Sequence, residues 1–217
     1  MPHNKVPVRD NGAACRALVI ASANPGKLGE FRDLLAGLPF TMFAQSELGI
    51  EAPEETGSSF LENAMIKARH ASRAAGMAAI ADDSGLEVDA LGGAPGIFSA
   101  RYAGVGAGDA ANNAKLVAAL AATPPQARCA RYRCALVFIA DPTDPLPLTS
   151  EGVWEGRIID AARGTGGFGY DPHFWLPELD QTAAELAPAE KNRRSHRGAA
   201  MRELHRLLVA RERNPPS

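Results

Sequence analysis

The stretch Cys134–Ala140 is apolar on both of its faces. Cys134, Leu136, Phe138 and Ala140 alternate with Ala135, Val137 and Ile139. Successive side chains of a strand point to opposite faces, so a strand without a polar face is central and covered on both sides. It belongs to a longer run, residues 127–140. Asp141-Pro-Thr-Asp-Pro145 is a hairpin loop, and residues 146–160 return as an antiparallel partner. This hairpin either extends a sheet or forms a smaller lobe.

The rest of the chain supplies alternating strands and helices. Residues 16–22 read as a strand. A polar loop follows, and then Leu28, Phe31, Leu34 and Leu35 recur at helical spacing as far as Gly37. Pro25 suits the first turn of that helix. Phe40–Ala44 is a second strand. Ser59-x-x-Glu62 is a capping-box signature opening a helix over residues 59–75, with Phe60, Ala64, Ala68 and Ala71 on its apolar stripe. Residues 77–81 and 86–90 read as two further short strands. Asp109 is placed to cap a helix over 109–122, and Ser195 to cap a last one carrying Met201, Leu204, Leu207 and Leu208. The expected class is α/β.

The formal net charge of −2 over 217 residues gives no basic field for nucleic acid or a membrane surface. No apolar run approaches the length of a membrane span. Residues 1–15 are expected to be a disordered leader, 16–210 one domain, and 211–217 a frayed tail. Three cysteines without metal-type spacing fit reduced thiols in the cytoplasm. Eighteen Arg stand against five Lys, so each lysine draws interest as a compact point charge.

Ala81-Asp82-Asp83-Ser84-Gly85 follows the apolar run Met77–Ala81. Taken alone it is an ordinary polar turn. At a strand end beside a glycine it is also where open α/β sheets place ligands, and alternation gives the two carboxylates different surroundings. Ser22, Asn24 and Lys27 surround a helix N-terminus, which offers free N–H groups to a phosphate or merely caps the helix. The sequence there is not a Walker loop, because Leu28 follows Lys27. Asn63 and Lys67 lie one turn apart on a helix edge, with Glu55 just ahead. Gly164-Thr-Gly-Gly-Phe-Gly169 matches Gly-x-Gly-x-x-Gly, but Pro172 forbids the helix a dinucleotide site needs. Those glycines instead let backbone approach a ligand, with the Phe168 ring among them. Lys191, His196 and Arg197 lie at or before a helix N-terminus.

Four stretches together carry a resemblance: Ser22-Ala-Asn-Pro-Gly-Lys27, Ala81-Asp-Asp-Ser-Gly85, Gly166-Gly-Phe-Gly-Tyr-Asp171 and Lys191…Ser195-His-Arg-Gly198. Glu54-Glu-Thr-Gly57 and Gly92-Gly-Ala-Pro-Gly-Ile97 fit the same pattern. From about Leu18 to Leu208 the chain resembles the inosine/xanthosine triphosphate pyrophosphatases, house-cleaning purine nucleotide hydrolases. The resemblance implies a homodimer, dependence on Mg²⁺, and a long mixed sheet flanked by helices that divides two lobes around the nucleotide cleft. It implies hydrolysis of ITP, dITP and XTP to the monophosphate and pyrophosphate. Ser22, Asn24, Lys27 and Lys67 would hold the triphosphate. Glu55 and Asp83 would serve the metal, with Asp83 also the proton acceptor. Ser84 would contact substrate, and Asn63, on the helix edge that could face the same cleft as Lys67 and Glu55, is expected to bind substrate as well. Phe168, Gly169, Tyr170 and Asp171 would hold the base, with Phe168 stacking, and Lys191, His196 and Arg197 would complete the pocket. Asp82 is left a supporting carboxylate. The alternatives are a Maf-like pyrophosphatase of other base specificity and a nucleotide-binding protein without catalysis.

Overall fold

The computed structural model describes residues 16–213. The leader expected over 1–15 lies outside them, as do residues 214–217. The elements run β1 (Arg16–Ala21), α1 (Pro25–Leu34), β2 (Phe40–Ala44), α2 (Phe60–Ala75), β3 (Ala78–Val88), α3 (Gly108–Ala119), β4 (Cys129–Ile139), β5 (Leu148–Ile158), β6 (Phe174–Leu176), β7 (Gln181–Thr182), α4 (Pro188–Arg194) and α5 (His196–Arg213). The seven strands form one mixed sheet in the order β2-β1-β3-β4-β5-β6-β7. β1 pairs in parallel with β2 and β3, and every later pairing is antiparallel. The α/β class and mixed sheet are as expected.

β4 is the central strand that its sequence requires. Leu136, Phe138 and Cys134 pack on one face with Phe31 of α1 and Met201, Leu204 and Leu208 of α5. Ala135, Val137 and Ile139 pack on the other with Ala64, Ala68 and Ala71 of α2. The alanine stripe lets α2 lie close on the sheet. Phe31 is fully buried, and a side chain of that kind contributes about 1.5–3 kcal/mol. A separate core gathers Leu86 and Val88 of β3, Tyr132, Trp154 and Phe174 with Leu116 of α3 and Leu120 at its C-cap.

Four expectations need correction. Residues 77–81 and 86–90 are not two strands with a turn between them. β3 runs unbroken through Asp82, Asp83, Ser84 and Gly85, each paired with β4 from Leu136 to Arg133. Gly85 is there for close approach instead: a Cβ would lie 2.4 Å from the Gly96 carbonyl oxygen. Next, Asp109 does not cap α3, whose N-cap is Ala107; its carboxylate reaches Gly169. Residues 211–213, expected as tail, belong to α5, where Arg211 binds both oxygens of Asp144 at 3.0 and 3.1 Å. Last, Glu62 bonds Ser58 rather than returning to Ser59, although Ser59 Oγ does accept from the Glu62 N–H.

Candidate functional site

Asp82 to Ser84 sit in β3 between the core shared by α1 and α5 and the core beneath α3. Two cavities of about 170 and 190 Å³ share Asn24, Lys27, Ser84 and Ala100 in their walls. The first adds Phe168, Gly169, Tyr170, Asp171, Lys191, His196 and Arg197. The second adds Ser22, Glu55, Lys67, Asp82, Asp83 and Arg101. Asn63 lines neither. It is fully buried, its Nδ2 donating to Asp83 at 3.4 Å and its Oδ1 accepting from the Gly57 N–H at 2.8 Å.

The strand's alternation separates the two aspartates. Asp82 is bonded by Lys27, by Arg197 Nε at 3.1 Å, by Ser84 Oγ at 3.2 Å and by the Cys134 thiol at 3.0 Å. Asp83 faces α2, where Lys67 Nζ approaches within 2.6 Å. Burial pushes both carboxyls up. At Asp82, Arg197 and Lys27 overcome that and hold it well below the usual range. At Asp83 burial wins over Lys67 and Lys27, and its pKa stays raised. The two neighbouring carboxyls are thus pushed in opposite directions.

Lys67 also donates to Glu55 at 3.2 Å, and Arg101 takes the other Glu55 oxygen at 2.8 Å. Burial pushes Glu55 up, but Lys67 and Arg101 draw it below its ordinary value. Burial lowers the Lys67 ammonium, but Asp83 and Asp82 more than restore it, so it stays charged. Asn24 does cap α1, its Oδ1 accepting from the Lys27 N–H at 3.1 Å, and Ser22 Oγ accepts from the Asn24 N–H.

At the other end the Phe168 ring lies against α1. A Cβ on Gly26 would sit 2.5 Å from it. Lys191 Nζ lies 4.6 Å from the ring centroid and Arg197 5.9 Å, distances at which a cation favours the ring face. Asp171 is buried and holds the loop, accepting from the Phe168 N–H, Lys191 Nζ and Tyr132. The Tyr170 hydroxyl donates to the Ser99 carbonyl at 2.8 Å. His196 stacks on Tyr132 with ring centroids 4.8 Å apart, and its Nδ1 is buried without a partner. Burial, then Arg197, drives its pKa well down, so the ring is neutral.

Glu30, Arg101 and Asp109 also belong to this network, and the sequence analysis did not single them out for it. Glu30 joins Lys191, at 2.8 Å, to Arg197, linking α1 to the ends of α4 and α5. Only the helical position of Glu30, one turn beyond Lys27, could have pointed to it.

The sequence pattern of the Ham1 family matches residues 18–207. A protein named dITP/XTP pyrophosphatase from Thioalkalivibrio sulfidiphilus is 55% identical over 89% of this chain and 99% of its own length. One of the same name from Ralstonia nicotianae is 56% identical over 87% and 94%. A HAM1 protein from Coxiella burnetii superposes with a TM-score of 0.82 at 47% identity, covering 90% of this chain and 99% of that one. A nucleoside-triphosphatase / dITP/XTP pyrophosphatase from Mycobacterium abscessus gives 0.68 at 42%, covering 88% and 98%.

Proposed function

The chain belongs to the Ham1 family, and from that premise we propose how its residues divide the work. The protein is a nucleoside-triphosphate pyrophosphatase that hydrolyses deaminated purine nucleoside triphosphates. In our reading the cavity with Lys27, Lys67 and Asp83 takes the phosphates, and the one with Phe168 and His196 takes the base.

The placement of Asp82 against Lys27 and Arg197, and of Asp83 against Lys67 on the other face of β3, carries this reading. Asp83 accepts a proton from water as the water oxygen bonds to the α-phosphorus. The bond from that phosphorus to the bridging oxygen breaks, and pyrophosphate leaves with the electron pair. Lys27, Lys67 and Arg101 neutralise charge on the leaving group, the dominant requirement in phosphoryl chemistry. Asp82 keeps Lys27 and Arg197 in place.

The donor set fits Mg²⁺. Five cations (Lys27, Lys67, Arg101, Lys191, Arg197) are paired with five carboxylates (Glu30, Glu55, Asp82, Asp83, Asp171). A triphosphate therefore needs added positive charge. Among the described residues no group of three or more His, Cys, Asp or Glu gathers as a metal cage. Glu55 and Asp83 would hold the ion, and one or two carboxylates suit a cation that keeps water and phosphate oxygens. When bound it would supply charge neutralisation and polarise phosphate oxygens.

At the base end Phe168 would stack, and the neutral His196 ring lines the same cavity. Hypoxanthine and xanthine carry a 6-oxo acceptor where adenine carries a 6-amino donor. A pocket of fixed donors rejects adenine because donors then face donors. The proposal extends to a homodimer in the cytoplasm. No helix among the described residues is long and apolar enough to cross a membrane, and Cys129 and Cys134 are free thiols.

The test is pyrophosphate release from ITP, XTP, dITP, ATP, GTP and dTTP, with and without Mg²⁺. Turnover of the deaminated purines that chelation abolishes is expected. Equal rates on ATP and ITP would overturn the base reading, and light scattering decides the dimer.

A further inference from the structure

The glycine loop around Phe168 is anchored from outside the motif stretches. Asp109 Oδ2 accepts from the Gly169 N–H at 2.7 Å. Asn113 Nδ2 donates to the Gly169 carbonyl at 2.8 Å and to the Asp109 carbonyl at 2.9 Å. The two residues stand at i and i+4 in the first turns of α3, on one face of the helix. Between them they take both backbone polar groups of Gly169, the residue that follows Phe168.

Three observations set this apart from ordinary helix capping. Asp109 leaves the α3 N-terminus without a side-chain cap and spends its carboxylate on the loop. It also lines the base cavity. Asn113 holds its amide with Oδ1 buried and unpartnered. A buried acceptor left unmade is costly. Turning the amide over would set Oδ1 against the two carbonyl oxygens, so the grip on Gly169 fixes its orientation. Next to it, Asn112 Oδ1 accepts from the Ala103 N–H at 2.8 Å and its Nδ2 donates to the Ala100 carbonyl at 3.3 Å. Ala100 is part of both cavity walls. α3 thus ties the shared wall to the base loop.

We propose that Asp109 and Asn113 are positioning residues for the purine, holding Gly169 so that the Phe168 ring presents a fixed plane to the base cavity. This rests on the base-pocket reading above. Residues 164–169 hold four glycines, and such a segment is ordered only at a large cost in conformational entropy. Asp171 secures the N–H of Phe168 from one side at 2.9 Å, and α3 secures Gly169 from the other. Neither α3 residue touches the phosphate cavity, so their effect falls on nucleotide affinity and leaves the chemical step alone.

The test compares Asp109→Ala, Asp109→Asn and Asn113→Ala with the wild-type protein in steady-state ITP hydrolysis, with melting temperatures recorded. Asp109→Ala and Asn113→Ala are expected to raise KM about tenfold, the scale of one lost hydrogen bond, with kcat within about twofold. Asp109→Asn retains an oxygen that accepts from Gly169, and should return KM to within about twofold of wild type. Asp109→Ala should add little to Phe168→Ala, because both act through the same ring. Full additivity, a fall in kcat at constant KM, or failure of the Asn rescue in a variant that melts like wild type would overturn the clamp. Wild-type turnover with all three variants unchanged overturns the clamp alone. A wild-type protein indifferent to ITP overturns the base reading, and the clamp with it.

Discussion

Asp82 and Asp83 are adjacent in sequence, yet Asp82 binds Arg197 at the start of α5 while Asp83 binds Lys67 on α2, across the sheet. Arg197 and Lys27 hold the Asp82 carboxyl well below the usual range, and burial keeps that of Asp83 above it.

Their asparagine variants should therefore fail in different ways. Asp83→Asn removes the proton acceptor and should lower kcat by about 10²–10⁴-fold while nucleotide still binds. Asp82→Asn leaves Arg197 and Lys27 without their shared counter-ion and should cost about 3–5 kcal/mol of stability. Denaturant titration beside steady-state kinetics separates the two. Equal activity loss with equal stability loss would contradict the division.

The pH dependence carries opposite signs. The Asp82 pKa is depressed in the fold, so its contribution to stability is present above the ordinary carboxylate range and is lost as pH falls through the folded value. The Asp83 pKa is raised, so the folded protein holds that proton more tightly than the unfolded chain. Its contribution favours the fold at low pH and is lost as pH rises through the folded value. Relative to wild type, Asp83→Asn should then lose ground as pH falls, whereas Asp82→Asn should gain it. Thermal scans at two pH values check this, and trends of the same sign in the two variants would contradict it.

Gly26→Ala should weaken nucleotide binding without a net gain in stability. Alanine improves the first turn of α1 by up to about 1 kcal/mol, but its Cβ collides with the Phe168 ring at 2.5 Å. The ring has to move, and KM for ITP should rise several-fold with kcat little changed. An unchanged KM would mean that the ring adjusts without consequence for the base.

Arg101→Ala should reduce kcat by about 10–100-fold if the guanidinium stabilises the leaving pyrophosphate, and Arg101→Lys should recover only part, because a point charge replaces a planar fork. Single-turnover kinetics isolates the chemical step. A change confined to KM would instead make Arg101 a binding group.

What was legible in the sequence is what is local. Two-sided apolarity placed β4 in the middle of the sheet, and Ser59 and Pro25 marked helix starts within a residue. The glycine after Asp-Asp-Ser misled, because turn chemistry is a local signal and the contacts that keep Gly85 extended come from β4 and the Gly96 carbonyl. Glu30, Arg101 and Asp109 went unseen for the same reason. Their partners lie 167, 46 and 60 residues away, at Arg197, Glu55 and Gly169. Motif stretches supplied most of the cavity-lining side chains, and the residues that brace them are scattered with no pattern of their own.

Lys27 belongs to the walls of both cavities, and its ammonium rests on Asp82, which Arg197 also holds. Lys27 and Arg197 therefore share one counter-ion, and a group that drew the Lys27 ammonium away would leave that carboxylate to Arg197, Ser84 and Cys134.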